Sequence, residues 1–571
     1  MDTEKRLVLA IVLCVAIFMI FTLNPSRRAT PPKAPPQGTT TESTTSDVVD
    51  PSGTGTATPT GTGPDPAAQP EVALFPHDED LHLASDKVRL ELTTEGASVQ
   101  RVILPDYHES DLTSPLTLVG PELRSDRALL VSSGTTPLDR VDWEVVAQSD
   151  DRIEFRYPLG QGEVRKRYSF HPDEPYLLHV DVEVRDTSLD YEILGPERVR
   201  FDAGSRQSNQ AVTGLGTGEF EGVERVGVGL VPTVRAEDAR TDVLWAGLES
   251  NYFAFIVRPL GVDGAKRVVS GSNDEGLKSE AGPNNKKGIQ SYPYRVGFHV
   301  PNPGKTDSFE VFIGPKDPTL LHVYEERGYP ELVYYGRYIG FIVRIFLALL
   351  RFFHGFTGSW GVAIIGLTFI VKLLLHPINK RNQGMMQRQS IRMKELQPKM
   401  DKIKEQHRND PTRATREIQQ LMRDENVNPL ALFGGCLLIF LQLPIWIGLI
   451  STFTLAIELR QQPFLYIADL TQADHLFPLG LTLPFIGSHF NLLPILYVAL
   501  TLINQRMMPR SSDPQMQQQQ KMMTIMMVAF GFIFYSFSSG LLVYFITSAA
   551  LGIIEQRIIR AELRREGIVT N

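Results

Sequence analysis

The stretch WGVAIIGLTFIVKLLLHP, residues 360–377, decides how this chain is read. An apolar run of this kind matches the roughly 20 residues that a helix needs to cross a bilayer. It also carries one fixed charge, Lys372. A charge at the bilayer centre costs roughly 2.5–3.5 kcal/mol on insertion scales, so it is normally turned toward protein or a wet cavity. The alternative is that Lys372 lies near the inner end and snorkels to the headgroups. Thr368 stands one helical turn earlier and shares its side of the helix.

Outward from this run, further spans are expected at 430–455, 490–507, 522–537 and 540–558. With 359–377 and an N-terminal anchor at 7–23 they make six. Lys5 and Arg6 before that anchor resemble a signal peptide, but no small-residue cleavage site follows, which favours an uncleaved anchor. The loop 378–428 holds twelve Lys or Arg, and the tail 559–571 adds Arg560, Arg564 and Arg565. Positive loops stay in the cytoplasm. Alternation then places residues 24–358 outside, with residues 1–6 and the tail inside. Within the basic loop, Met386, Met393 and Met400 are heptad-spaced, with Leu396 and Ile403 between them. Asn409-Asp410-Pro411 interrupts, and Ala414, Ile418, Leu421 and Met422 form a second apolar stripe, which predicts a helical hairpin. Its basic face is either simply solvated or touches nucleic acid or acidic lipid.

On the other side, Arg337, Arg344 and Arg351 recur every seven residues within 331–357. Seven residues are almost two helical turns, so the three guanidinia share a face, as in a helix lying in the membrane interface. A tilted span with snorkelling arginines is the competing reading. Residues 71–330 change period to two: Val88, Leu90, Leu92; Ile153, Phe155, Tyr157; Leu178, Val180, Val182, Val184; Val296, Phe298, Val300; Phe309, Val311, Ile313. Turn signals separate these runs, which predicts an antiparallel β-sandwich. This region holds 28 basic and 44 acidic side chains, so the net charge of -8 averages unlike parts. Its histidines and carboxylates are scattered and read as structural. Residues 24–70 are Pro, Thr, Gly and Ala, a tether unable to bury a core. Cys14 and Cys436 both lie in apolar runs and build neither a disulfide framework nor a zinc site.

No phosphate-binding loop, H-E-x-x-H, G-x-S-x-G elbow or dinucleotide fingerprint is present. A membrane protein of this kind is driven by gradients, by its substrate's hydrophobicity or by partners. Neither cofactor nor metal is expected. Near the fifth span, Met522, Met523, Met526 and Met527 precede Phe530, Phe532, Phe534 and Phe537. Such flexible side chains suit a surface that accepts many apolar shapes, or an ordinary core. Gln442 stands just before Leu443 and Pro444 in the third span. A Lys, a Thr and a Gln directed inward would line a wet hollow.

The landmarks Trp360-Gly361, Phe369-Ile370-Val371-Lys372, Pro377, Gln397-Pro398-Lys399, Asn428-Pro429-Leu430, Gly435-Cys436, Gln442-Leu443-Pro444 and Ser539-Gly540-Leu541 resemble the YidC membrane protein insertases over essentially the whole chain. The resemblance implies a polytopic α-helical protein of the bacterial inner membrane. A five-helix insertase core would enclose a hydrophilic groove open to cytoplasm and lipid, beside an all-β periplasmic sandwich similar to sugar-binding folds. It implies a non-enzymatic insertase, with Lys372, Thr368, Gln442, Tyr544 and Phe545 lining the substrate groove. Leu443, Pro444, Met526, Met527, Phe530 and Phe534 would form an apolar slide, and Arg337, Arg344 and Arg351 the interfacial helix. The implied partners are nascent membrane proteins, the Sec translocon (SecYEG, SecDF), the ribosome and the lipid bilayer, with no small-molecule substrate. The chain departs from the family pattern in four places. Lys372 stands where arginine is usual, Phe545 where tyrosine is expected and Ser538 where proline is usual, and Ala431 to Phe433 are extra residues. A small-solute transporter or channel and a tethered sugar-binding protein are the rival classes.

Overall fold

The computed structural model describes residues 81–565, apart from 110, 121–126, 135–136, 198, 200–209, 217–218, 227–235, 238–241, 263, 272–293, 302, 304–305, 336–338, 409, 426–433, 484–486, 507–523, 526–527, 529–530 and 532–533. The expected anchor at 7–23 and the tether at 24–70 lie outside these residues, as do Arg337, Met526, Met527 and Phe530.

Period-two sequence becomes antiparallel sheet. The largest sheet has nine strands. In order across the sheet they are Gly222–Val226, Gln210–Leu215, Val243–Glu249, Phe253–Leu260, Thr306–Pro315, Glu174–Arg185, Gly162–His171, Arg152–Leu159 and Glu144–Ser149. A five-stranded sheet contains Tyr191–Leu194 and Tyr294–Val300, and a four-stranded sheet covers His82 to Val119. Their inward residues share one apolar cluster: Leu90, Phe155, Val180, Phe298, Phe309 and Trp245 are all fully buried. Alternation fails in the central strands. Phe255, Ile256 and Val257 are consecutive and buried, as are Val311, Phe312 and Ile313, because both faces of these strands are covered. Phe312 packs against Tyr176, Tyr324 and Tyr329. The short turns at Pro318–His322 and Tyr329–Leu332 are fixed there by Trp245, which donates to Arg327 O at 2.8 Å.

The chain then becomes helical: α1 (Gly340–Thr357), α2 (Trp360–Gln406), α3 (Pro411–Asp424), α4 (Gly434–Leu455), α5 (Leu492–Arg506) and α6 (Ser539–Arg565). In α1, Val343, Phe346, Leu347 and Leu350 form the buried stripe. Arg344 and Arg351 are exposed on another face, and Arg351 Nε donates to Glu458 Oε1 at 3.0 Å. Helix α2 runs unbroken from the apolar run into the hairpin with Pro377 and Pro398 inside it. Leu396 and Met400 pack there against Ile418, Leu421 and Met422 of α3. By length and composition, Gly340–Thr357, Trp360–Met385 and Ser539–Glu562 can each cross a membrane, and Gln442–Leu455 and Leu492–Arg506 are shorter apolar helices. Half of the expected span 522–537 is outside the described residues, so the six-span count extends beyond them.

The loop after α4 joins sandwich and helices. Ile457 belongs to the sandwich's apolar cluster. Arg460, almost fully buried, donates to His108 O at 2.8 Å and lies over the Phe253 ring, while Gln461 Nε2 reaches His108 O and Glu109 O at 2.8 and 2.9 Å.

Inside the sandwich, Lys166 is fully buried and donates to Ala97 O at 2.9 Å and to Leu129 O. Burial pushes its amine well below the ordinary lysine range, and Arg127 adds to this. Two carbonyl acceptors match the two N–H groups of a neutral amine. Between the native amine's lowered value and the ordinary lysine value of about 10.4 the unfolded chain binds more protons than the native one, so stability rises with pH across that window, by up to about 1.4 kcal/mol per pH step of one. Thermal unfolding of the full chain in detergent at pH 7 and 9.5 should show this gain, and Lys166→Met should remove it without a large loss at pH 9.5. An identical pH response in the variant would contradict the assignment.

Candidate functional site

Three helices each turn a polar stripe toward one another. On α2 the stripe is Thr368, Lys372, His376 and Asn379, at spacings of four, four and three. On α6 it is Gly552, Glu555, Gln556 and Glu562, and on α5 it is Thr501, Asn504 and Gln505. Lys372 and Glu555 stand in the stretches of α2 and α6 that are long and apolar enough to cross a membrane, where a charge left in hydrocarbon is costly.

Glu555 is the centre of the cluster. Its Oε2 lies 4.0 Å from Lys372 Nζ, and its Oε1 lies 3.1 Å from His376 Nδ1. The Asn379 amide donates to both carboxylate oxygens, at 3.1 and 3.4 Å. Glu555 is 12% exposed in its side chain and Lys372 25%, so the ammonium is the more accessible partner. Gly552 borders the approach: a Cβ there would stand in ordinary contact, 3.7 Å from Lys372 Nζ and 3.4 Å from Asn504 Nδ2. Two buried amide oxygens, Asn504 Oδ1 and Gln556 Oε1, have no hydrogen-bond partner among the described residues. Further along the same helices, Lys380 and Glu562 pair at 2.7 Å.

One turn in the other direction the interior is dry. Thr368 is fully buried and its hydroxyl donates to Ile364 O at 2.7 Å, within its own helix. Thr501 does the same to Tyr497 O at 2.6 Å. Phe545 sits in an aromatic cluster with Trp446, Tyr497 and Phe534, ring centroids 5.2–5.6 Å apart. A phenol at that position would need a polar partner that this packing lacks. Tyr544 is buried beside it. Gln442 and Leu443 are half-buried and Pro444 exposed, all on α4. The outer ends are tied by loops. Asp474 Oδ2 accepts from Leu492 N and Leu493 N at 2.7 and 3.0 Å. Ser539 N, next to Ser538, donates to Gln472 O at 2.6 Å, and Gly540 N to Leu470 O at 2.8 Å.

The structure thus brings together Lys372 with Glu555, His376, Asn379 and Asn504, and it places Thr368, Tyr544 and Phe545 in the packed layer beyond. Sequence reading missed Glu555, although a carboxylate in an apolar run is the same anomaly as Lys372. It was read as part of the inner end of the span 540–558.

A β-sandwich joined to apolar helices long enough to cross a membrane, with charged and amide side chains clustered between those helices, defines a polytopic membrane protein. The family described as YidC periplasmic domain matches residues 80–349, and the family described as 60Kd inner membrane protein matches 352–566. The membrane protein insertase YidC of Syntrophus aciditrophicus is 27% identical over 587 residues, covering 98% of this chain and 100% of that protein. The YidC of Cupriavidus metallidurans is 28% identical over 522 residues, covering 86% and 84%. A crystal structure of an active YidC insertase with its first transmembrane domain resolved is similar with a TM-score of 0.33 at 19% identity, over 83% of this chain and 93% of that one. The sequence matches, rather than that score, carry the assignment. This chain belongs to the YidC membrane protein insertase family.

The boundary between pocket and dry layer falls between Lys372 and Thr368. Lys372→Cys in membranes opened to the hairpin side should react with a water-soluble maleimide, Thr368→Cys should not, and Gly552→Leu should suppress labelling at position 372. Equal labelling at both positions would contradict the boundary.

Proposed function

We infer that this chain is a membrane protein insertase that inserts and helps fold nascent integral membrane proteins in the bacterial inner membrane. The observation that supports the mechanism is the cluster of Lys372, Glu555, His376 and Asn379 between apolar helices, followed by a tightly packed aromatic layer.

No covalent step is needed. A 20-residue apolar helix gains very roughly 6–12 kcal/mol on entering the bilayer, at about 0.3–0.6 per residue. The obstacle is kinetic: the polar tail that must cross first meets hydrocarbon. A polar pocket partway into the membrane shortens that crossing. Lys372 holds an acidic tail by charge attraction in reduced dielectric, while Gln442 and Asn504 offer amides to its backbone. The apolar helix of the substrate then leaves along Leu443 and Pro444 into lipid, with Met526, Met527 and Phe530 as the further expected lining; Phe534, expected in the same slide, is instead buried in the aromatic layer.

Charge asymmetry supports the orientation. The twelve Lys or Arg of 378–428 favour a cytoplasmic hairpin, with residues 1–6 and 559–571 on the same side and the sandwich in the periplasm. Arg344 and Arg351 on α1 suit the outer interface. The basic hairpin and tail are suited to contact ribosomal RNA through phosphate attraction. The insertase works alone or beside the Sec translocon.

Reconstituted proteoliposomes and a single-span substrate with an acidic tail test this reading. Lys372→Ala should slow insertion about tenfold, which is about 1.4 kcal/mol and well inside the roughly 3–5 kcal/mol lost when a buried ion pair is broken. Lys372→Glu, which faces Glu555 with a second carboxylate, should slow it further. Undiminished insertion by both variants would remove the charge from the mechanism.

A further inference from the structure

The pairing of Lys372 with Glu555 is loose, and the looseness has a structural origin. Elsewhere on the same two helices Lys380 and Glu562 close to 2.7 Å, so their spacing permits a tight ion pair. Lys372 and Glu555 stop at 4.0 Å because the carboxylate is held from its other side by the Asn379 amide and His376. The ammonium keeps its exposure and its donors. The carboxylate keeps its place whether or not Lys372 stays beside it. Asn504 on α5 and Gln556, next to Glu555 on α6, each carry a buried amide oxygen without a hydrogen-bond partner among the described residues.

We propose that Glu555 makes the pocket two-signed, so that this insertase accepts basic tails as well as acidic ones. The inference rests on the insertase reading above and names its substrate class. An acidic tail takes Lys372 without first breaking a tight bond. A lysine or arginine in the tail is held by Glu555, whose carboxylate stays anchored by Asn379 and His376 when Lys372 turns to the tail or to solvent. With a bare cation alone the pocket would favour acidic tails and repel basic ones. Glu555 is therefore the residue that sets charge selectivity. His376 and Asn379 position it, and the Lys380–Glu562 pair lies beyond it toward the hairpin with no net charge of its own.

The experiment uses the full chain in proteoliposomes and three substrates that differ only in the tail: acidic, uncharged and lysine-bearing. Wild type should insert acidic and basic tails at rates within about threefold of each other. Glu555→Gln, which keeps the shape, should raise the acidic-to-basic rate ratio about tenfold, as Lys372→Met should lower it. Glu555→Asp should restore the ratio. An unchanged ratio in Glu555→Gln, with all three tails slowed equally or not at all, overturns the proposal. A wild type that inserts none of the three overturns the insertase reading as well. A readout independent of any variant is zero-length carbodiimide coupling in the wild type, with the products mapped by mass spectrometry. Coupling of Glu555 to a tail lysine supports the proposal. An internal Lys372–Glu555 product that the basic tail leaves unchanged overturns it.

Discussion

Holding the Lys372 ammonium among apolar helices is the constraint from which the membrane part of this structure follows. Left unpaired in hydrocarbon, the charge would be prohibitive. Sealed against a carboxylate in a dry core, it would be an ordinary structural ion pair with no net gain over apolar packing. The structure lies between these limits. Glu555 stands near enough to compensate the charge and is tethered by Asn379 and His376, so it does not neutralise it outright. Gly552 borders both Lys372 and Asn504, so a side chain much larger than a methyl group there would crowd them. The polar stripes of α2, α5 and α6 then face each other, and their other faces remain free to meet lipid. Phe369, Leu373 and Leu374 of α2 and Ile554 of α6 are exposed in this way.

The packed layer beyond the pocket has equal weight. Thr368 and Thr501 satisfy their hydroxyls within their own helices, and Trp446, Tyr497, Phe534 and Phe545 interlock by their rings. A pocket that ran through this layer would be a leak. Above it, Asp474 and Gln472 bind the outer ends of α5 and α6, and Arg460 and Gln461 fasten the same loop to the strand edge at His108. The sandwich is thus tied by hydrogen bonds to the loop that follows α4.

Much of this was legible in the residues. Alternation at Leu90, Phe155, Val180 and Phe298 announced strands because one face of each is wet. It was silent about Phe255 to Val257 and about Phe312, where both faces are covered and the period disappears. Lys372 was legible because a lone charge in an apolar run has so few explanations. Its partner was not, since pairing couples residues 179 positions apart, as His376 and Glu555 are, and no local pattern encodes that. The hairpin stripe of Leu396, Met400, Ile418 and Leu421 was readable from spacing. That α2 would carry straight through Pro377 into it was not, because a proline inside a helix ordinarily marks a break. Phe545 in place of tyrosine looked like a lost hydrogen bond, and the packing makes it part of the aromatic layer instead.

Site-specific photocrosslinking of a stalled nascent chain tests the central claim most directly. Crosslinkers placed at Asn504 and Gln556 face the pocket, and crosslinkers at Phe369 and Ile554 face outward. A charged pocket that carries the tail should yield adducts to the substrate's polar tail from the first pair, with the second pair reaching no more than its apolar segment. Tail adducts arising from Phe369 or Ile554, with none from Asn504 or Gln556, would show that the tail bypasses Lys372 and Glu555.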